Sequence, residues 1–260
     1  MVAEEIRVDL LYCMLGVFIP FLGTCLGSFF VFFLKKEFDS KYQNILIGFA
    51  VGVMLAASIW SLIIPAMEMA STNYKLEWLP VAIGLFLGIF FLIFINKYSD
   101  KLISSKNGKS INMLLFSVTL HNIPEGMAVG VCFAGALAGN VEISLLSAIA
   151  LAIGIAVQNI PEGAIISMPL KVDGKSKKDS FFIGAMSGIV EPIAAIVTII
   201  LLDLVIPILP YLLSFASGTM IYVILDELVP EMNNCSKSDL GIISVILGFI
   251  LMMILDITLG

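Results

Sequence analysis

The sequence predicts an all-α integral membrane protein with eight transmembrane helices and both termini outside. Three observations carry that expectation. The chain is 60% hydrophobic and 13% charged, with a mean hydropathy of +1.07, well outside the usage of soluble domains. Eight apolar runs, each of the roughly 20 residues a hydrocarbon core requires, follow one another with short linkers between them. Finally, 12 of the 14 Lys and Arg residues fall in linkers on one side of such a chain, the side that the positive-inside rule makes cytoplasmic.

The runs justify themselves in order. The first spans about 9–34, with Arg7 before it and Lys35, Lys36 and Lys41 after it. The second (44–67) leads to an outer linker holding Lys75, and the third (77–96) leads back to Lys97, Lys101, Lys106 and Lys109. The fourth (112–137) and fifth (143–170) return the chain to Lys171, Lys175, Lys177 and Lys178. The sixth (181–203), seventh (206–229) and eighth (239–259) follow, with Lys237 before the last. Tyr42 and Tyr98 fall at the inner interface and Tyr74 and Trp78 at the outer one, as an aromatic belt requires. Only the linkers 97–111 and 171–180 have real length, so residues 1–260 are expected to be one multi-pass domain in the cytoplasmic membrane. Gly48-x3-Gly52, Gly84-x3-Gly88 and Gly184-x3-Gly188 permit close helix contact. The third run, with Gly84 and Gly88 and no polar residue at mid-depth, is the expected face of a homodimer.

Composition also excludes. The net charge is −6 and the lysines are clustered in linkers, so no basic stripe suits nucleic acid. Cys13, Cys25, Cys132 and Cys235 lack CxxC spacing and read as packing residues. The start lacks a basic n-region, and no cleavable signal peptide is expected.

The chemistry lies inside the spans. The fourth run carries His121-Asn122-Ile123-Pro124-Glu125-Gly126 and the fifth carries Gln158-Asn159-Ile160-Pro161-Glu162-Gly163. The sixth adds Glu191-Pro192. His121 and Glu125 are four apart, as are Gln158 and Glu162, so each pair shares a helix face at a rise of about 6 Å. Asn122 and Asn159 lie three before their glutamates, near the same face. His121 sits about 14 Å and Glu191 about 15 Å from the inner ends of their helices, close to the middle of a core roughly 30 Å thick. Pro124, Pro161 and Pro192 each free a carbonyl four residues back, at Leu120, Val157 and Gly188, and broken helices at the midplane are a common way to build ion sites.

A single membrane histidine reads as a helix contact, and a single Asn-Pro as a kink. Three acids at one depth, in spans without Lys or Arg, require a cation from outside. One imidazole with carboxylate and amide oxygens suits Zn²⁺, and also Fe²⁺, Mn²⁺, Co²⁺ or Cd²⁺. The carboxylates suffice for one ion, or for two bridged by Glu125 and Glu162, with Glu191 at the second, auxiliary position and Asn122 and Asn159 among the candidate ligands. The rival class is an intramembrane metal-dependent hydrolase, which would want His-Glu-x-x-His. This chain has one histidine.

These paired motifs, with Glu191-Pro192 on the sixth span and eight spans in all, resemble the ZIP (Zrt-/Irt-like protein) metal transporters over nearly the whole chain. Gln158 stands where many eukaryotic members have histidine and resembles the bacterial branch. In that branch the next residue can be Asp; here it is Asn159, one negative charge fewer. The resemblance implies import of a divalent metal, most of all zinc, by alternating exposure of the midplane site, with spans 1, 4, 5 and 6 moving against 2, 3, 7 and 8. An iron- or manganese-preferring carrier is the alternative within the family. It implies that Met54 completes the primary site, that Glu68 and Asp256 form an entrance, and that Asp226 and Glu227 form an exit.

Overall fold

The computed structural model describes residues 11–33, 40–102, 109–138, 143–172, 174–235 and 239–259, and every regular element among them is helical. In chain order these are α1 (Leu11–Phe32), α2 (Ser40–Asn73), α3 (Trp78–Leu102), α4 (Lys109–Leu137), α5 (Leu145–Val172), α6 (Lys177–Ile200), α7 (Ile206–Asn234) and α8 (Asp239–Leu259). Among the described residues, seven helices are long and apolar enough to cross a membrane, and α4 contributes the shorter apolar stretch Asn122–Leu137. Arg7, Lys35, Lys36, Lys106 and Lys237, which carry part of the charge asymmetry, lie outside the described residues.

Helix ends follow local chemistry. α2 continues past its apolar run because the side chains of Thr72 and Asn73 both donate to the Met69 carbonyl, at 2.8 and 3.0 Å. Tyr74 then turns extended and ends it. α6 begins at a Ser176 cap whose hydroxyl accepts from the Asp179 amide at 3.1 Å.

The prolines act differently from the expectation of three broken helices. α4 and α5 run on through Pro124 and Pro161, as membrane helices do where neighbours support the backbone. Only α6 is interrupted, at Gly188–Ile189. Pro192 cannot donate to the Gly188 carbonyl, and the Glu191 amide takes that carbonyl instead, at 3.1 Å. Gly188 is therefore not freed as the sequence suggested, and the tightened turn sets Glu191 at the start of the second half-helix. The backbone also widens into single π-turns at Ser58–Ile63 in α2 and Ile224–Leu228 in α7. Such turns are frequent at functional sites.

The helices pack in pairs, and α5 also packs against α2. α2 lies along α8 and α3 along α7, while α1 lies along α5 and α4 along α6. Side-chain-free glycines make the closest approaches. Gly126 of α4 lies directly on the Glu191 backbone of α6, and Gly163 of α5 lies on the Thr24 carbonyl of α1. A Cβ at either position would collide with main chain. Gly84 and Gly88 correct one expectation: they pack within the chain, against Tyr211, Ser214 and Phe215 of α7, and so are not free for a second copy. The outward face of α3 is instead aromatic, with Phe86, Phe90 and Phe94 exposed.

Candidate metal pathway

The two Asn-Ile-Pro-Glu-Gly pentads, one preceded by His121 and the other by Gln158, bring α4 and α5 together around buried polar side chains. Asn122, Glu125, Gln158, Asn159 and Glu191 are all buried, and Glu162 is half-buried. The side chain of His121 lies outside the described residues, although its backbone is helical, one turn before Glu125.

Hydrogen bonds sort these groups into two clusters. In the first, Gln158 Nε2 donates to Glu125 Oε1 at 2.6 Å, joining the pentads directly. In the second, Glu191 is the hub. Its Oε1 accepts from Asn122 Nδ2 at 3.2 Å and from Thr24 Oγ1 at 3.3 Å, and its Oε2 accepts from Asn159 Nδ2 at 2.9 Å. α1, α4, α5 and α6 thus meet at one carboxylate. Thr24 was not anticipated from sequence, where a lone threonine in an apolar run carries no signal.

What the clusters leave over is chemically uniform. Asn122 Oδ1, Glu125 Oε2, Gln158 Oε1 and Asn159 Oδ1 are buried without a hydrogen-bond partner among the described residues. All four are oxygen acceptors. Orphaned buried acceptors are costly, and a hard or borderline cation is the species that satisfies several oxygens at once. Among the described residues no three His, Cys, Asp or Glu side chains are close enough to hold an ion by themselves. The unpartnered oxygens in this region belong to amides as well as to a carboxylate.

Two cavities lie toward opposite ends of α2. The smaller, about 40 Å³, is lined by Met54, Gln158, Glu162, Glu227 and Glu231. Met54 thus joins the pentad residues as expected from the resemblance, and Glu227 lies on the same cavity. Asp226, its expected companion, is exposed. Glu231 takes its place, with Oε1 accepting from Gln43 Nε2 at 3.0 Å. Its spacing of four from Glu227 was the signal that could have found it.

The larger cavity, about 260 Å³, is lined by Ser61, Glu68, Cys132, Ser147 and Asp256 among others. Glu68 and Asp256 are thus brought together, and Ser61, carried on the π-turn of α2, donates to Asp256 Oδ1 at 2.6 Å. Cys13, Cys25 and Cys132 form no disulfide among the described residues, and Cys132 lines this cavity. The side chain of Cys235 lies outside the described residues.

Comparison with known proteins agrees with this chemistry. The family model described as ZIP Zinc transporter matches residues 110–256, which include both pentads and Glu191. The chain is 33% identical to Zinc transporter ZIP11 of Homo sapiens over 95% of this chain and 97% of the relative. It is 34% identical to Zinc transporter GufA of Myxococcus xanthus, over 92% and 95% respectively. It is 31% identical to Zinc transporter ZIPB of Bordetella bronchiseptica, over 98% and 84%. Pentads on adjacent helices, buried oxygens without donors and these likenesses converge: the chain belongs to the ZIP zinc transporter family, a family of transporters and not of enzymes.

Proposed function

We propose that this protein imports Zn²⁺ across the cytoplasmic membrane as an alternating-access carrier. The observation that carries the reading is the set of buried oxygens on Asn122, Glu125, Gln158 and Asn159 that accept no hydrogen bond among the described residues. His121, Asn122, Glu125, Gln158, Asn159 and Glu162, with Met54, are the residues we assign to the ion. Glu125 presents Oε2 to it because Oε1 is held by the Gln158 amide. That same bond turns Gln158 so that its Oε1 is the atom left to coordinate.

The path follows from the cavities. Glu68, Ser61 and Asp256 collect the ion on the outer side, where an exposed and a half-buried carboxylate concentrate cations. The site itself adjoins the smaller cavity, through Gln158, Glu162 and Met54, and we assign that cavity to the inward side. Glu227 and Glu231 then take the ion toward the cytoplasm. The lysine distribution supports eight spans with both ends outside, and the aromatic outer face of α3 is the surface we assign to lipid and to a second copy in a homodimer.

Purified protein in sealed proteoliposomes provides the test. Wild type is expected to accumulate Zn²⁺, with Cd²⁺, Fe²⁺, Mn²⁺ and Co²⁺ competing in an order that reads out preference. Vesicles that take up no divalent metal above empty controls would overturn the reading.

A further inference from the structure

We infer that Glu191 is not a ligand of a second metal ion but a positioning residue: it clasps four helices and turns both pentad asparagines so that their oxygens face the transported ion. The inference rests on the metal-transport reading and deepens it, because it fixes the load at one ion per carrier.

The amide groups of both asparagines are held from two sides. Asn122 Nδ2 lies between two acceptors, Glu191 Oε1 at 3.2 Å and the Ser187 carbonyl at 3.4 Å. Asn159 Nδ2 likewise lies between Glu191 Oε2 at 2.9 Å and the Pro20 carbonyl at 3.4 Å. An NH₂ with an acceptor on each side has its orientation set by chemistry, since a flipped amide would place oxygen against two oxygens. Both Oδ1 atoms must then point away from Glu191, and both are buried without a donor among the described residues.

Glu191 is itself committed. Two amides and the Thr24 hydroxyl supply three donors to its two oxygens. Each of these donors ends on a buried carboxyl oxygen, where an unmade bond is costly. A dication placed among Glu191, Asn122 and Asn159 would meet NH₂ hydrogens on the asparagines rather than oxygens. Making room for it means turning both amides and leaving the Ser187 and Pro20 carbonyls without them. An aspartate at position 159 would remove this obstacle, since it offers two oxygens and no hydrogen. Asn159 is therefore the specificity switch of the second position. With asparagine there, donors do for Glu191 what a second ion would otherwise do.

The clasp has a mechanical side. Thr24, Asn122, Asn159 and Glu191 come from α1, α4, α5 and α6, and all four are buried. Gly188, one turn before Glu191, leaves the space: a Cβ there would stand 2.6 Å from Thr24 Oγ1 and 3.0 Å from Glu191 Oε1.

The test is Zn²⁺ stoichiometry on the full-length detergent-solubilised protein, by titration calorimetry and metal analysis, with thermal unfolding measured in parallel. Wild type is expected to bind one Zn²⁺ per chain. Glu191→Gln is expected to keep one, with affinity reduced about tenfold, the usual effect of losing a group that orients a ligand, and to unfold at lower temperature with or without metal. Asn159→Asp is expected to bind two. Wild type binding two ions, with Glu191→Gln binding one, would overturn the inference, and so would a folded Asn159→Asp that still binds one. Should Asn159→Asp not fold, the comparison of wild type with Glu191→Gln decides alone. Wild type that binds no metal would overturn the transport reading itself, a result distinct from binding two.

Discussion

At the scale of single residues, the site is built by pairing each donor with an acceptor until only oxygens remain. Glu125 and Gln158 show how: one 2.6 Å bond fixes both side chains and leaves Oε2 and Oε1 over. Alanine at His121, Glu125 or Glu162 is expected to cut Zn²⁺ uptake by at least tenfold while the protein remains in the membrane, measured as initial rates at matched protein density. Such losses are of the size that removing an oriented ligand causes. Thr24→Val keeps shape and removes one donor from Glu191. It is expected to cost about 0.5–1.5 kcal/mol, the range for a typical hydrogen bond, read as a lower unfolding midpoint; an unchanged midpoint would exclude Thr24 from the clasp. The pentads were legible in sequence because a carboxylate or amide is conspicuous among apolar neighbours. Thr24 was not, because a threonine in a membrane helix usually bonds its own backbone, and only the packing of α1 on α5 brings it to Glu191.

At the scale of elements, the polar residues are placed by local departures from a regular helix. The interruption of α6 sets Glu191 at a half-helix start, and the π-turns of α2 and α7 carry Ser61 and Glu227 onto the two cavities. A π-turn shifts the face of everything after it, which explains a partial miss. Asp226 and Glu227 were equal candidates in sequence, yet only Glu227 lines the cavity, and Glu231 one turn later joins it. Glu231→Gln is expected to slow uptake severalfold without changing the affinity of the solubilised protein for Zn²⁺, since the residue acts on release and not on binding. A Glu231→Gln variant with wild-type uptake would remove it from the path. The prolines were read as three breaks, and α4 and α5 run through theirs, because sequence reveals a missing donor and not whether close packing holds the helix together around it. Gly126 on Glu191 and Gly163 on Thr24 supply that packing.

At the scale of the whole molecule, the all-helical membrane fold was legible from hydropathy alone, since length and apolarity of each run leave few alternatives. The use of Gly84 and Gly88 was not. A small-residue spacing says that a backbone approaches closely, and not whether the partner is α7 or a second copy. Orientation can be read directly. Cysteines introduced at Ser105 and Ser176, in a background without the native four, are expected to react with an impermeant maleimide only after lysis. Labelling of both in intact cells would invert the topology and exchange the proposed entrance and exit.

The central claim is that a divalent ion crosses through the oxygens of the two pentads, and uptake of radioactive Zn²⁺ into proteoliposomes tests it most directly. Wild type, Glu125→Gln and Glu191→Gln are compared at equal reconstitution. Wild type is expected to transport, Glu125→Gln to fall to the level of empty vesicles, and Glu191→Gln to retain substantial flux, because it orients ligands and does not hold the ion. Glu125→Gln vesicles that fill as fast as wild type would contradict that claim.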